Sequence, residues 1–293
     1  MGIGMTDLRR IIWLASYPKS GNTWMRTLLA HYLFPPGKAP DINNLRQFTT
    51  GDSRKDIYNA AAGGDYRSDN VEEWVKMRQN VVHMIAESKP NKHFVKTHCQ
   101  PIVLFDQELV PARYTAAAIY IMRNPFDLAP SFARHQSCDI DTAIDRMMDP
   151  NMLSGEGTAI YEYFGRWDIH VDTWTNAPGL PKHVIRYEDM LADTHATMRG
   201  LLADFMKVPL DEDKLAEAIR ATSFEALKKQ EEEKGFRERP KGMQSFFAKG
   251  QAGVWRDDLT PAQIARLREA FKPTLEKWYP ELLKDTAAFL DKS

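Results

Sequence analysis

The chain has 293 residues, 43% of them hydrophobic and 27% charged, with a formal net charge of −1. A chain of this length and composition buries a full core without a disulfide or metal staple. The charge balance excludes a bulk basic field for nucleic acid, and no apolar run approaches the roughly 20 residues of a membrane span. Two cysteines, Cys99 and Cys138, lie far apart and do not read as a disulfide framework, so a reducing compartment is expected. Residues 1–10 lack the apolar centre of a signal peptide. No Cys/His cluster has ligand spacing. The expectation is a soluble, cytoplasmic protein with no metal and no nucleic-acid partner.

Ile11-Ile12-Trp13-Leu14-Ala15 is a short apolar run that reads as a buried strand. After Tyr17-Pro18-Lys19-Ser20-Gly21-Asn22-Thr23, the residues Trp24, Met25, Leu28, Leu29, Tyr32 and Leu33 fall on one helical face. Pro35-Pro36-Gly37 stops that helix. Residues 51–70, rich in Gly, Asp, Ser and Arg, read as an exposed loop, and a helix follows from Val71 to Glu87. Residues 94–97 and 116–122 read as strands. Asn124-Pro125 has the form of an N-cap with proline at the first helical position, opening a helix that runs to about His135. Residues 183–187 form a fourth strand candidate. Residues 229–253 read as a loop or lid, and Thr260-Pro261 opens a late helix. Buried strands alternating with helices predict an α/β fold: a single domain over 1–293 with a central, mainly parallel sheet flanked by helices. Its motif-bearing core spans 11–256, with a helical segment over 260–293.

A strand, a polar glycine-containing turn and a helix point backbone N–H groups at an anion. In the first turn Gly21 permits close approach, Lys19 adds positive charge, Ser20 and Thr23 add hydroxyls, and Trp24 offers a face for a base. A surface turn with a stray lysine is the competing reading. No Gly-Lys-Ser/Thr occurs, which disfavours an ordinary ATP or GTP loop. Arg123, at a strand end, and Ser131, eight residues on, form a candidate clamp for a second phosphate. The alternative is a salt bridge from Arg123 to Asp127. His98 follows Lys96-Thr97 at a third strand end and has the residue type for a general base. Any histidine taken blindly from the chain's eight is more often structural.

The octet at 17–24 resembles the 5'-phosphosulfate loop of the cytosolic sulfotransferases, usually Tyr-Pro-Lys-Ser-Gly-Thr-Thr-Trp, departing only at Asn22. Lys96-Thr97-His98 resembles the family's Lys-Thr-His, although Cys99-Gln100 replace the common Leu-Pro. The segment from Arg123 to Ser131 resembles the 3'-phosphate site. Tyr187-Glu188-Asp189, Thr222-Ser223-Phe224 and Lys249-Gly250-x-x-Gly253-x-Trp255 extend the likeness in family order, from about residue 11 to 256.

The resemblance implies a P-loop NTPase-like sulfotransferase fold and a donor, PAPS (3'-phosphoadenosine 5'-phosphosulfate), that leaves as PAP. It implies His98 as base, Lys19 on the leaving group and Lys96 on the sulfuryl oxygens. Ser20, Gly21, Asn22 and Thr23 are expected to bind mainly through the loop. Arg123 and Ser131 are expected at the 3'-phosphate, Lys249 and Gly250 among the nucleotide-binding residues, and Trp24, Tyr187, Thr222 and Phe224 at the adenine. Ala248 stands where the family has an arginine on that phosphate, and Val254 where it has an aspartate. The family's dimer motif is poorly kept at Thr260, Pro261 and Ala265, so the oligomeric state stays open.

The acceptor implied is a small alcohol, phenol or amine. The segments 51–90, 136–165 and 230–250 are expected to shape its pocket, with Tyr66, Trp74, Met147, Met148, Tyr161 and Phe164 as lining candidates. Packing residues are the alternative for each. Two rival functions stand beside this one: a nucleotide-kinase-like phosphoryl transferase, and a PAPS- or PAP-binding protein that does no chemistry.

Overall fold

The structure, a computed structural model, describes residues 8–155, 160–239 and 243–291. Parts of two expected pocket segments, 156–159 and 240–242, and most of the N-terminal stretch therefore lie outside the described residues.

Five strands make the central sheet: β1 (Ile11–Ser16), β2 (Thr50–Gly51), β3 (His93–Thr97), β6 (Thr115–Met122) and β9 (Lys182–Arg186), ordered β2-β3-β1-β6-β9. Every pairing is parallel. Between them lie two small antiparallel ribbons, β4 (Val103–Leu104) with β5 (Gln107–Glu108), and β7 (Leu153–Ser154) with β8 (Glu162–Tyr163). The alternation of side chains assigns each strand residue to one face. Trp13, Ala15, Val95, Ala118, Tyr120 and Met122 enter one core, and Leu14, Phe94, Ile119, Ile121 and Ile185 enter the other.

Helices cover both faces, as an all-parallel sheet requires. In chain order they are α1 (Asn22–Leu33), α2 (Lys55–Ala62), α3 (Val71–Glu87), α4 (Pro125–Gln136), α5 (Ile140–Met148), α6 (Trp167–Asn176) and α7 (Tyr187–Ala192). Then come α8 (Thr194–Arg199), α9 (Glu212–Ala221), α10 (Phe224–Lys234), α11 (Trp255–Asp258), α12 (Pro261–Trp278) and α13 (Pro280–Leu290). Their starts are written locally. The Asn70 carboxamide accepts from Glu72 N at 2.8 Å to open α3, and Asn124 accepts from Asp127 N at 2.8 Å to open α4. Thr260 and Gln263 form a reciprocal capping box at α12.

Four points of the sequence reading need correction. The span 51–70 is not all loop: α2 occupies its centre, and Gly63, at φ 70°, ends it in the left-handed region. The fifth strand, β2, is two residues long and makes its bridges at Thr50 and Gly51, too short for any periodic signal. The span 229–253 begins as helix, because α10 continues to Lys234, and Tyr187 opens α7 rather than ending β9.

The chain passes from β3 over β1 to β6, so the strand order reverses at β1. Ligands of open α/β sheets bind beyond the carboxyl ends of the strands at such a point. The first edge is fastened by a buried ion pair. Arg78 of α3 donates to Asp52 at 2.6 Å and to the Leu109 carbonyl at 3.0 Å, with both charged side chains almost fully enclosed. Asp52 N in turn donates to Lys96 O at 3.2 Å. Removing one partner strands the other charge in the core. Asp52→Ala is expected to cost about 3–5 kcal/mol and to lower the melting temperature by several degrees in a calorimetric scan. Replacing both partners by apolar residues of similar size should recover most of that loss.

Candidate active site

Residues at four strand ends converge on one cleft of about 410 Å³. Lys19 to Trp24 follow β1, His98 follows β3, Arg123 follows β6 and Tyr187 follows β9. Of the residues expected at the site, Lys19, Gly21, Asn22, Thr23, Trp24 and Lys96 line it. So do His98, Arg123, Ser131, Tyr187, Thr222 and Phe224, together with Lys249 and Gly250. Ser20 is fully buried behind the wall.

The loop after β1 is shaped for an anion. Gly21 precedes the first residue of α1 at φ 100°, and no side chain caps the helix. Its first-turn N–H groups therefore have no intrahelical partner. A Cβ at Gly21 would lie 2.7 Å from Tyr187 Cδ2, so glycine is required there both by backbone and by space. Among the described residues, the Ser20 hydroxyl is buried without a hydrogen-bond partner, as is the Arg123 Nε. Two orphaned polar groups at the two expected phosphate positions fit a doubly anionic nucleotide.

The Asn22 side chain does more than the sequence suggested. Its carboxamide donates to Leu14 O at 2.9 Å and to Ser16 Oγ at 3.3 Å, tying the loop back onto β1. That same Ser16 fixes the histidine. His98 Nδ1 lies 2.7 Å from the Ser16 carbonyl, which can only accept, so Nδ1 carries the proton and Nε2 the lone pair. Burial first, and the Lys96 charge second, hold His98 well below its ordinary pKa. The imidazole is thus neutral, with its lone pair at Nε2. Behind it, His170 Nε2 donates to the His98 carbonyl at 3.1 Å and Tyr120 holds His170 Nδ1 at 2.9 Å.

Lys19 is 3.4 Å from the centroid of Phe246, which reaches in from the segment after α10. Burial, then the charges of Arg123 and Arg134, pull its pKa down to about 7. Arg123 donates to Lys19 O and Gln251 O, each at 3.3 Å, and stacks 4.5 Å over Tyr187. Trp24 meets Tyr187 edge-on with centroids 5.9 Å apart. Gly250 packs so closely on Phe224 that a side chain there would enter the ring.

The alternative in which Arg123 pairs with Asp127 does not occur. Asp127 accepts instead from Gly253 N at 2.7 Å and Trp255 N at 3.0 Å, anchoring the late glycine loop to α4. Glu188 accepts from Asn124 N at 2.9 Å and from its side chain at 2.6 Å. Neither role was legible in the sequence, because both join segments far apart in the chain. Lys249 lines the cleft but gives its ammonium to Asp258 at 2.7 Å.

Two of the expected adenine contacts also serve the fold. The Thr222 hydroxyl donates to Ala218 O at 2.8 Å, and Phe224 is the first residue of α10, capped by Ser223.

The acceptor candidates belong mainly to the core, Phe164 included, and only Phe164 also lines the cleft. Tyr66, Trp74, Met147 and Tyr161 are buried in the main core, with Met148 packed against it, while Phe164 lines the cleft edge-on to His98 at 6.2 Å. Around it are polar residues the sequence did not single out: His135, Gln136, Ser154 and Glu162. The carboxylate of Glu238 also enters the cleft wall, forked onto Arg26 at 3.0 and 2.5 Å. Both cysteines are free thiols. Among the described residues no helix is long and apolar enough to cross a membrane, and no group of His, Cys, Asp and Glu could hold a metal ion.

Comparison with known proteins fits this geometry. Rat sulfotransferase 2B1 is 23% identical over 89% of this chain and 69% of its own length. Human sulfotransferase 1C2 is 26% identical over 90% and 82%, and Arabidopsis thaliana cytosolic sulfotransferase 12 is 24% identical over 91% and 76%. The crystal structure of mouse sulfotransferase SULT7A1 complexed with PAP superposes with a TM-score of 0.62 at 19% identity, covering 95% of this chain and 90% of that one. Retinol dehydratase in complex with retinol and PAP gives 0.64 at 19% identity over 91% and 81%, so the fold is shared. The sulfotransferase domain itself matches residues 9–286, and the chain therefore belongs to the sulfotransferase domain family.

Proposed function

We propose that the chain transfers a sulfuryl group from PAPS to a hydroxyl or amine of a small acceptor, and that it works in the cytoplasm. The observation that carries this reading is a neutral histidine whose Nε2 lone pair has no partner among the described residues, lining one cleft with a buried lysine and an uncapped helix start.

The acceptor oxygen or nitrogen attacks sulfur, and its proton passes to His98 Nε2. The bond from sulfur to the bridging oxygen breaks as the new bond forms, and PAP departs. Lys19 gives its charge to that bridging oxygen, where negative charge grows. Lys96 neutralises the sulfuryl oxygens. The loop from Ser20 to Thr23 holds the 5'-phosphate, and Arg123 and Ser131 the 3'-phosphate. Trp24, Tyr187 and Phe224 form the adenine walls. The chemistry needs positioning and charge more than covalent intermediates. Intact Lys19 and His98 favour an enzyme over a silent binding protein.

Transfer of radioactive sulfur from PAPS tests the base. His98→Ala should lose ~10²–10⁴-fold in rate while binding PAP as the parent does; undiminished turnover removes the histidine from its role.

The lowered pKa of Lys19 gives a second test with a definite sign. At about pH 8, above the free-site pKa, the amine is largely neutral. An anionic nucleotide favours the charged form and raises the pKa, so binding takes up a proton. Titration calorimetry in buffers of different ionisation enthalpy should detect this uptake and should lose it in Lys19→Met. That variant should also be deficient in transfer.

A further inference from the structure

The cations of the cleft outnumber the anions that answer them. Arg134 stands out. It lies three residues after Ser131 on α4, so the two share a helix face, and both line the cleft. Its guanidinium makes no hydrogen bond among the described residues. Among the described residues it pairs loosely with Asp258, 3.9 Å away, and the Asp258 Oδ2 has no hydrogen-bond partner there. The other oxygen of Asp258 is taken by Lys249 at 2.7 Å. Arg134 is thus held near an anion without being consumed by it.

Its electrostatic reach is visible from two sides. Arg134 depresses Lys19, and Arg123 in turn works against the charge on Arg134, after burial and in opposition to Asp258. Arg123, Ser131 and Arg134 therefore belong to one field along the start and face of α4. Ala248, which also lines the cleft, contributes only a methyl group there. Arg134 brings a planar fork matched to phosphate oxygens.

We propose that Arg134 binds the 3'-phosphate of the nucleotide beside Arg123 and Ser131, supplying the second guanidinium that Ala248 does not. The assignment rests on the PAPS reading above. Asp258 is then the resting partner of this wall: it keeps Lys249 in place and leaves the guanidinium free to turn to the phosphate.

Calorimetry on the full chain with PAP and with adenosine 5'-monophosphate, which lacks the 3'-phosphate, separates the two claims. The parent protein should prefer PAP; equal affinity for both nucleotides would overturn the two-phosphate reading itself. Arg134→Gln should weaken PAP binding about tenfold or more and leave adenosine 5'-monophosphate unchanged. Arg134→Lys should fall between, keeping the charge and losing the fork. Because the Arg134 side chain is 39% exposed, these variants should keep the parent's melting temperature. A parent-like PAP affinity in Arg134→Gln, or an equal loss for both nucleotides, would overturn the role of Arg134 while leaving the transferase reading in place.

Discussion

Repulsion among cations lining one cleft is the constraint on which the site depends. Lys19, Lys96, Arg123 and Arg134 share that wall, and Lys19 feels all three of the others. Burial is the larger cause that lowers its pKa, and these charges add to it. The result is an ammonium poised near neutrality, which an anionic ligand returns to full charge. The same field keeps His98 and His135 neutral, the latter pulled down to about 4 by burial, Lys19 and Lys96. A base and a charge stabiliser thus coexist in one cleft, because burial first and the Lys96 charge second keep His98 unprotonated beside Lys19.

Holding such a field together takes a scaffold of buried hydrogen bonds. Asn22 binds Ser16, and Ser16 binds His98, so the phosphate loop and the base share one support. Asp127 carries the backbone of Gly253 and Trp255, and Glu188 carries Asn124. Asp127 and Glu188 each join the carboxyl end of β6 to a segment distant in sequence, while Asn22 closes its loop locally onto β1. The loop geometry is consequently fixed before any ligand arrives, which lowers the cost of binding.

The elements that the sequence made legible are those with strong local signals. The apolar runs of β1 and β6, the Asn124-Pro125 start of α4 and the Thr260-Pro261 start of α12 all read directly. The two-residue β2 did not, since it exists only by pairing with β3. Helix α2 was hidden in polar, glycine-flanked sequence, where packing of Tyr58 against the main core outweighs weak local cues. Tyr66, Trp74, Met147 and Tyr161 are hydrophobic in either role, core or pocket, so composition could not distinguish them, and the fold sends all four inward.

Sequence alone determined the α/β class, the order of the anion-loop, histidine and arginine motifs, and the residue types available for chemistry, because strand ends and helix starts are encoded within a few neighbouring residues. Tertiary structure decided which nitrogen of His98 is free, that the pKa of Lys19 falls to about 7, that Asp127 serves the backbone rather than Arg123, and that Arg134 lines the same cleft as Ala248. These properties arise from burial and from contacts between residues far apart in the chain, and neither burial nor long-range distance is written in local sequence.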